Sequence, residues 1–548
     1  MAPAFFRLAT TPRHGSNLLI NLLYEKSFHH AFSTLLDGGS PLASHAQSSE
    51  FTLVNKQPVN ADNEPRPVFP VPTERQLKWN QTEFYAFFHY GMNTYTYKEW
   101  GNGSEDESIF APTAVPNPRQ WLEAVKAGGM RGGIAVVKHH DGFCLWPTKT
   151  TTHNVTNSSN ANAQKTNIPR DFAAAAKALG MKYGFYISPW DRNSEYWGKK
   201  DANGNYTDDY AKKVFFAQCA EMVEYGADQF EMWFDGATGA DGYYGGANET
   251  RSIDNATRYY DIPNLRDSIH NACPNIILWG TGGEARWIGN EAGWAGETCW
   301  SMGDGTSGDM NAWKWFPGES DAKATIGGWF YHEGGKKVDG NGNIVVGNEG
   351  CKSANDLFKM YLETVGRNAT LILNFPPNQA GLLSDDQVAN LKTLGEMLRT
   401  RLGHDLAKAD GVKITATDTR SAGVKRTYDA KNMIDGDSTT YWACNDAHNT
   451  AVITVELPSV QTIHYVALQE YIQLGQRIKG FTIETSTDGK NWTKKGGNIQ
   501  TTTVGYKRII PLNGSTNNSY DAGTQAKFVK ISITDSRACP TLHTLSIY

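Results

Sequence analysis

The stretch QFEMWFDG, residues 229–236, reads in two halves. Phe230, Met232, Trp233 and Phe234 form an apolar, aromatic run of the kind buried on both faces of a sheet. The run stops at Asp235 and Gly236, a pair that also makes ordinary turns. Taken alone, Asp235 is explained equally well as a turn residue and as a carboxylate at the mouth of a barrel. The segments on either side decide between the two.

Six further runs have the same texture: FYAFFHYGMN (84–93), GGIAVVKHH (132–140), KYGFYISPW (182–190), NIILWG (275–280), IGGWFYH (326–332) and ATLILNFPP (369–377). Helical patterns separate them. NPRQWLEAVKAGG carries Trp121, Leu122 and Val125 at helical spacing, and RDFAAAAKALG opens with Asp171 as cap or first-turn acid and stops at Gly180. YAKKVFFAQCAEMVEYGA and SANDLFKMYLETVGRN follow the same logic. Strand and helix in alternation predict an α/β fold, a (β/α)8-like barrel over residues 61–405. A doubly wound open sheet is the alternative. The absence of G-x-G-x-x-G after the first strand counts against its dinucleotide-binding form. Past Arg401 the texture changes to short alternating runs such as VITVEL, HYVALQEY, GFTIETS and KFVKISI, which predict an all-β sandwich over 406–548.

Residues 1–60 read as leader and linker. SNLLINLL follows Arg7 and Arg13, and ASHA resembles a cleavage site, but Glu25, Lys26 and Asp37 interrupt the region. With eleven N-x-S/T sequons, among them Asn80, Asn154, Asn248 and Asn491, the expectation is a secreted or extracellular glycoprotein. No run reaches the length of a membrane span. Lys plus Arg is 52 against 57 Asp plus Glu, a net charge of -5 with no basic stripe, so no nucleic-acid partner is expected. The seven cysteines form no CxxC pair or zinc spacing; Cys444 and Cys539 both lie in the last part of the chain and could pair, which spacing alone does not decide.

In a barrel, chemistry gathers at the C-terminal ends of the strands. Those ends supply His89, then Lys138, His139, His140 and Asp141, then Tyr186, Trp190 and Asp191, then Asp235; the fifth is followed by Glu284, Arg286, Trp287, Glu291 and Glu297. Each has a dull reading, but together they are hard to explain as core. His139 and His140 lack a carboxylate partner motif for metal, and adjacent strand residues point to opposite faces, so both reach one ligand only where the strand has bent into its loop. No G-x-S-x-G elbow marks a nucleophilic serine. Carboxylates with histidines and tryptophans suggest glycoside hydrolysis, which needs one ionised and one protonated carboxyl across the scissile bond. Composition does not choose the pair.

FFHYG, KHHDGF, GFYISPWDRN, MWFDG and RWIGNEAG, in this order, resemble family 29 glycoside hydrolases, the α-L-fucosidases, with GGWFYH and TVGRNATLILNFPP extending the resemblance across residues 75–402. The SPWDRN and RWIGNEAG forms are closer to the branch that prefers α-1,3/4-linked fucose. The resemblance implies Asp235 as nucleophile and Glu291 as acid/base, with Glu297, Glu284 and Glu319 in reserve. It implies fucose contacts from His89, Glu99, Trp100, His139, His140 and Tyr186, with Trp190 and Arg286 as weaker assignments. It further implies retention of configuration, no catalytic cofactor and fucosylated glycans as partners. Burial of the acid beside Trp287 or Trp294 would raise its pKa and keep it protonated near neutrality. Tyr90 stands where many members have Trp, and PGESDAKATIGGWFYH lacks the family's arginine.

NMIDGDSTTYWA and GFTIETSTDGKNWT resemble F5/8 type C domains, or family 32 carbohydrate-binding modules. Such modules hold a structural Ca2+, for which Asp435 and Asp437 are the matching residues; a plain turn explains the pair equally well. Two other functions stay open: a sugar-binding protein with an inactive barrel, and a hydrolase of a related sugar such as α-L-galactose.

Overall fold

The computed structural model describes residues 60–305, 307–339, 342–347, 350–514 and 522–548. The leader expectations fall on residues 1–59, outside the described residues. Among the described residues no helix is long and apolar enough to cross a membrane.

Eight parallel strands form the first domain: β1 Phe84–Phe88, β2 Gly132–Lys138, β3 Lys182–Ile187, β4 Glu231–Phe234, β5 Ile277–Gly280, β6 Arg286–Trp287, β7 Gly318–Lys323 and β8 Ala369–Asn374. Their order is β5-β4-β3-β2-β1-β8-β7-β6. A parallel bridge between Trp279 and Ala285 draws the two edges together, so the sheet is a nearly closed barrel rather than an open one.

Two expectations need correction. IGGWFYH is not a strand: only Thr325, just before it, bridges, and the run forms a loop. The strand beside it is the polar GESDAK of β7. The two-residue β6 is a further strand that no apolar run marks. Both errors share a cause. Apolarity marks a strand whose two faces are greasy, whereas β7 carries carboxyls on its inner face and is buried all the same.

The period of two explains the cores. Tyr85 and Phe87, Ile134 and Val136, Tyr186, Trp233, Ile277 and Trp279, and Ile372 point into the barrel and pack together. Their alternates, such as Phe84, Phe88, Ala135, Val137, Phe185, Met232, Phe234, Leu371 and Leu373, face the helices. Trp233 and Trp279 stack with centroids 3.7 Å apart and planes 8° apart. The helices carry local start signals. α1 Glu74–Asn80 opens with a Thr73–Gln76 capping box. α2 Pro118–Ala127 and α3 Ile168–Leu179 each have Pro in the first turn, after Asn117 and Asn167 caps. Asn167, not Asp171, caps α3; Asp171 is a first-turn acid, and Gly180 closes the helix at φ 64°. α4 Phe216–Glu224, α5 Ile262–Ala272, α6 Ala354–Thr364 and α7 Asp385–Leu402 complete the shell.

The second domain is two antiparallel sheets. One has the order β9 (Lys413–Ala416), β11 (Ala451–Ile463), β16 (Thr524–Ser536), β13 (Ile478–Ser486), β14 (Thr493–Lys495); the other runs β10 (Trp442–Ala443), β17 (Thr541–Ile547), β12 (Tyr465–Glu470), β15 (Arg508–Pro511). The domains are joined by more than a linker. Tyr465, Ala467 and Ile509 belong to the same apolar cluster as Phe358, Leu362 and Val365, and Asn368 Nδ2 donates to Cys299 O and Ser301 Oγ while its Oδ1 accepts from Tyr506 N. All seven cysteines are free thiols, Cys444 and Cys539 included.

Candidate active site

β4 delivers Asp235 one residue past its end, in line with the inward-facing Glu231 and Trp233. The Tyr186 hydroxyl donates to Asp235 Oδ2 at 3.1 Å, and Ala237 N–H donates to Oδ1 at 3.0 Å. The carboxylate is thus held from two sides while its side chain stays 30% exposed. Tyr186 is buried and stacked between Trp233 and His139; burial, with the nearby Asp235 charge, keeps its hydroxyl protonated.

The histidines join this carboxylate. β2 pairs irregularly with β3 between Val136 and Lys138 and ends there. His139 and His140 therefore both turn toward the site, the condition that adjacent residues had to meet. His139 stacks on Tyr186 (5.6 Å, 12°), and His140 Nε2 lies 3.8 Å from Asp235 Oδ2. Hydrogen-bond partners assign the tautomers. Ser188 Oγ donates to Trp190 O, so it accepts from His140 Nδ1 at 2.8 Å, which leaves Nε2 as an acceptor. Asn374 Nδ2 donates to Trp329 O, so its Oδ1 accepts from His89 Nδ1 at 2.8 Å, and His89 Nε2 is likewise left as an acceptor. Burial pushes His89 down to about 3 and His140 to about 4, the latter despite the opposing Asp235 charge, and holds His139 well below its ordinary value. These are neutral rings suited to hydroxyl groups, and the His140–Asp235 approach is not an ion pair.

Glu99 and Trp100 line the same mouth. Trp329 N–H donates to Glu99 Oε2 at 2.7 Å, and His332 Nδ1 lies 4.0 Å from Oε1; burial raises the Glu99 carboxyl above its usual range. Trp100, 52% exposed, stands edge-on to His140 and Trp190. Trp190 lies a layer deeper, fully buried, packed on His140 and donating to Tyr244 OH at 3.0 Å.

Glu291 sits exposed in its loop, and Trp329 Nε1 donates to its Oε2 at 3.3 Å. The other face of that relationship is His89, whose ring lies 5.0 Å from the Trp329 indole. Trp329 therefore ties the second acid to the histidine cluster, and neither Trp287 nor Trp294 does. Trp287 Nε1 instead donates at 2.6 Å to Asp321.

Arg286 does not join the cluster. Trp287 takes the inward position, so its neighbour Arg286 points out of the barrel, where Nη2 donates to Trp300 O at 3.2 Å. The reserve glutamates are also committed elsewhere. Glu284 meets Arg75 and His270 at 3.4 and 3.0 Å, Glu297 accepts from Gln500 N of the second domain at 2.6 Å, and Glu319 lies in the barrel interior.

That interior holds two carboxyls that sequence reading missed, Glu231 and Asp321, beside the reserve Glu319. Glu319 accepts from Trp233 Nε1 at 2.8 Å and from Tyr85, and Glu231 accepts from Trp79 Nε1 at 2.9 Å. Burial raises both carboxyls, Glu319 to about 7. On β7, Asp321 lies two residues above Glu319 on the same face, pushed up to about 8 by burial, with the Glu291 charge adding to the effect. Parity carries the signal for Glu231: it shares its face with Trp233 and Asp235.

Asp435 and Asp437 are occupied within one turn. Asp437 N–H donates to Asp435 Oδ1 and Thr439 N–H to Asp437 Oδ1, both at 2.8 Å, and Thr440 Oγ1 to Asp435 Oδ2 at 2.6 Å. Among the described residues no group of three or more His, Cys, Asp or Glu is placed to hold a metal ion. Calcium takes about 6–8 oxygen ligands, backbone carbonyls among them, of which this pair would supply carboxylate oxygens.

Comparison with known proteins gives this arrangement a family. The model described as Alpha-L-fucosidase matches residues 71–401. The chain belongs to the α-L-fucosidase family. It is a glycoside hydrolase of that family, and the F5/8 type C domain model matches residues 413–544 behind the fucosidase barrel. Alpha-L-fucosidase 1 of Arabidopsis thaliana is 30% identical over 499 residues, 88% of each chain. A glycoside hydrolase 29 family member from a rumen bacterium is 33% identical with TM-score 0.71, over 88% of this chain and 78% of that one. A Ruminococcus gnavus GH29 fucosidase solved in complex with fucose is 29% identical with TM-score 0.72, over 88% of this chain and 96% of that one.

Proposed function

We propose that the protein is a retaining exo-α-L-fucosidase that releases α-1,3/4-linked L-fucose from branched, Lewis-type glycans. The observation that carries this is the convergence of Tyr186, His139 and His140 on Asp235 at the C-terminal mouth of the barrel, with Glu291 linked to His89 through Trp329. Asp235 attacks the anomeric carbon while Glu291 gives its proton to the leaving glycosidic oxygen, and a fucosyl ester forms on Asp235. Glu291 then takes a proton from water, which attacks the same carbon and frees Asp235. The neutral imidazoles of His89 and His140 each offer a lone pair to a sugar hydroxyl, and Tyr186 fixes the nucleophile's oxygen. The fucose bound by the Ruminococcus gnavus relative supports the choice of sugar, and the SPWDRN and RWIGNEAG forms support the linkage. A working site outside the cell is part of the same proposal. Of the sequons named above, Asn248 and Asn491 are exposed enough to carry a glycan, whereas Asn80 and Asn154 are buried.

Product analysis on a Lewis-type trisaccharide beside an aryl α-L-fucoside tests the reading. Release of fucose from the trisaccharide, with initial retention of configuration and an ester trapped on Asp235, is expected. Absence of release from both by folded protein overturns it. Release from the aryl fucoside alone removes the linkage assignment.

A further inference from the structure

At the other end of the barrel, a cleft of about 750 Å³ opens between the two domains. One wall comes from segments that enter the N-terminal ends of strands: Phe69 and Pro70 precede α1 and β1, and Trp313 precedes β7. The opposite wall is made by Asn449, Lys479, Asp535 and Arg537 of the second domain. Asp235 and its partners lie past the C-terminal ends, so the two sites do not share a face.

Three observations point to a ligand. First, Trp313 is 85% exposed and Phe69 54%. An indole left in water forgoes burial worth a large apolar area, and this one stands over a cleft, not a flat surface. Second, the wall facing it is polar but not spent: the Asn449 amide and the Lys479–Asp535 ion pair (2.5 Å, partly exposed on both sides) offer donors and acceptors at the opening. Third, the walls are fixed before any ligand arrives. Arg537 donates to Phe69 O at 2.9 Å and to Gln476 O at 3.0 Å, which pins one wall to the other. The Trp313 loop is tied by Ala312 N–H to Asp309 O and by Phe316 N–H to Ser301 O. A preformed cleft of this volume lies within the range of small-molecule sites, about 300–1,000 Å³.

We infer that this cleft binds a pyranose unit of a neutral glycan, with Trp313 as the stacking platform. A pyranose has one face of C–H bonds that matches the negative face of an indole, and a rim of hydroxyls that matches an amide beside paired charges. An aliphatic ligand would desolvate the Asn449 amide and the Lys479–Asp535 ion pair without returning a hydrogen bond to any of them. The site holds the body of a glycan while its fucosylated ends are processed elsewhere, and it works whether or not the barrel hydrolyses fucose.

The test is titration calorimetry on the full chain with N-acetyllactosamine, galactose and mannose, none of which carries fucose. Saturable binding to at least one is expected, weakened tenfold or more in Trp313→Ala and restored in part in Trp313→Phe. Aryl fucoside kinetics and the thermal midpoint should not move, because the side chain is exposed. No saturable binding to any of the three overturns the inference. So does binding that Trp313→Ala leaves intact, or that free fucose displaces competitively from the catalytic mouth. Hydrolysis is read separately, so failure here and failure of the proposed reaction are distinguishable.

Discussion

The Tyr186 hydroxyl donates to Asp235 Oδ2 at 3.1 Å, and the same ring is clamped between Trp233 and His139. The orientation of Asp235, the proposed nucleophile, is therefore set by an aromatic stack rooted in the barrel core. Asp235 needs this support because it lies beyond the last ladder residue of β4, where the backbone no longer fixes its direction.

Tyr186→Phe keeps the stack and removes the donor. A hydrogen bond to a charged group is worth about 1.5–3 kcal/mol, so kcat/KM on an aryl fucoside should fall about 10- to 100-fold with the thermal midpoint little changed. An unaltered kcat/KM would show that Ala237 N–H alone orients the carboxylate.

Trp329 links the proposed acid to the histidines. Trp329→Phe removes the donor to Glu291 and should cost about tenfold in kcat/KM on a sugar leaving group, near the net value of one hydrogen bond, about 0.5–1.5 kcal/mol. Glu291→Gln should lose far more on the trisaccharide than on an aryl fucoside with an acidic phenol, which leaves without a proton. Equal losses on both substrates would remove Glu291 from the acid role.

Asp321 sets a pH dependence. Its carboxyl is raised to about 8 in the folded protein by burial, against about 3.9 unfolded. Between these values the native state holds a proton that the unfolded state has lost, so this group's contribution to stability declines as pH rises from about 4 to about 8, by up to about 1.4 kcal/mol per pH unit. Asp321→Asn removes that decline. Urea midpoints at pH 5 and pH 8 should therefore converge in the variant relative to the parent chain; parallel behaviour would contradict the assignment. His89 and His140, lowered to about 3 and 4, act in the other direction: their contribution is present above about 6.5 and is lost as pH falls toward those values.

Arg286 belongs to the scaffold. Arg286→Ala should cost about 1–3 kcal/mol of stability, the penalty of stranding buried partners, while KM for an aryl fucoside stays within about twofold for folded enzyme. A large rise in KM without loss of stability would return Arg286 to the substrate site.

Much of the barrel was legible because six of its eight strands are apolar on both faces, and the histidines, Tyr186 and Asp235 fall where those strands stop. β6 and β7 were not, for a physical reason: Glu319 reaches Trp233 on β4 and Tyr85 on β1, and Asp321 pairs with Trp287 on the neighbouring β6, and partners on other strands leave no trace in local hydropathy. The resemblance of RWIGNEAG proposed Glu291 as the acid and Arg286 as a weaker fucose contact, and a motif does not record that of the adjacent Arg286 and Trp287 it is the tryptophan that faces inward. Trp329 was hidden inside a run read as a strand.

The apolar cluster that Phe358 and Val365 share with Tyr465 and Ile509 has a consequence for biosynthesis. The sandwich leaves the ribosome after the barrel, and roughly 150 residues at about 5–20 residues per second separate the end of α7 from the last strand. For about 7–30 s a finished barrel would present an unfilled greasy socket to the cytosol or the translocon. The nascent enzyme would then expose one defined apolar patch, which is covered by the arrival of β12 and β15 and not by closure of the barrel itself.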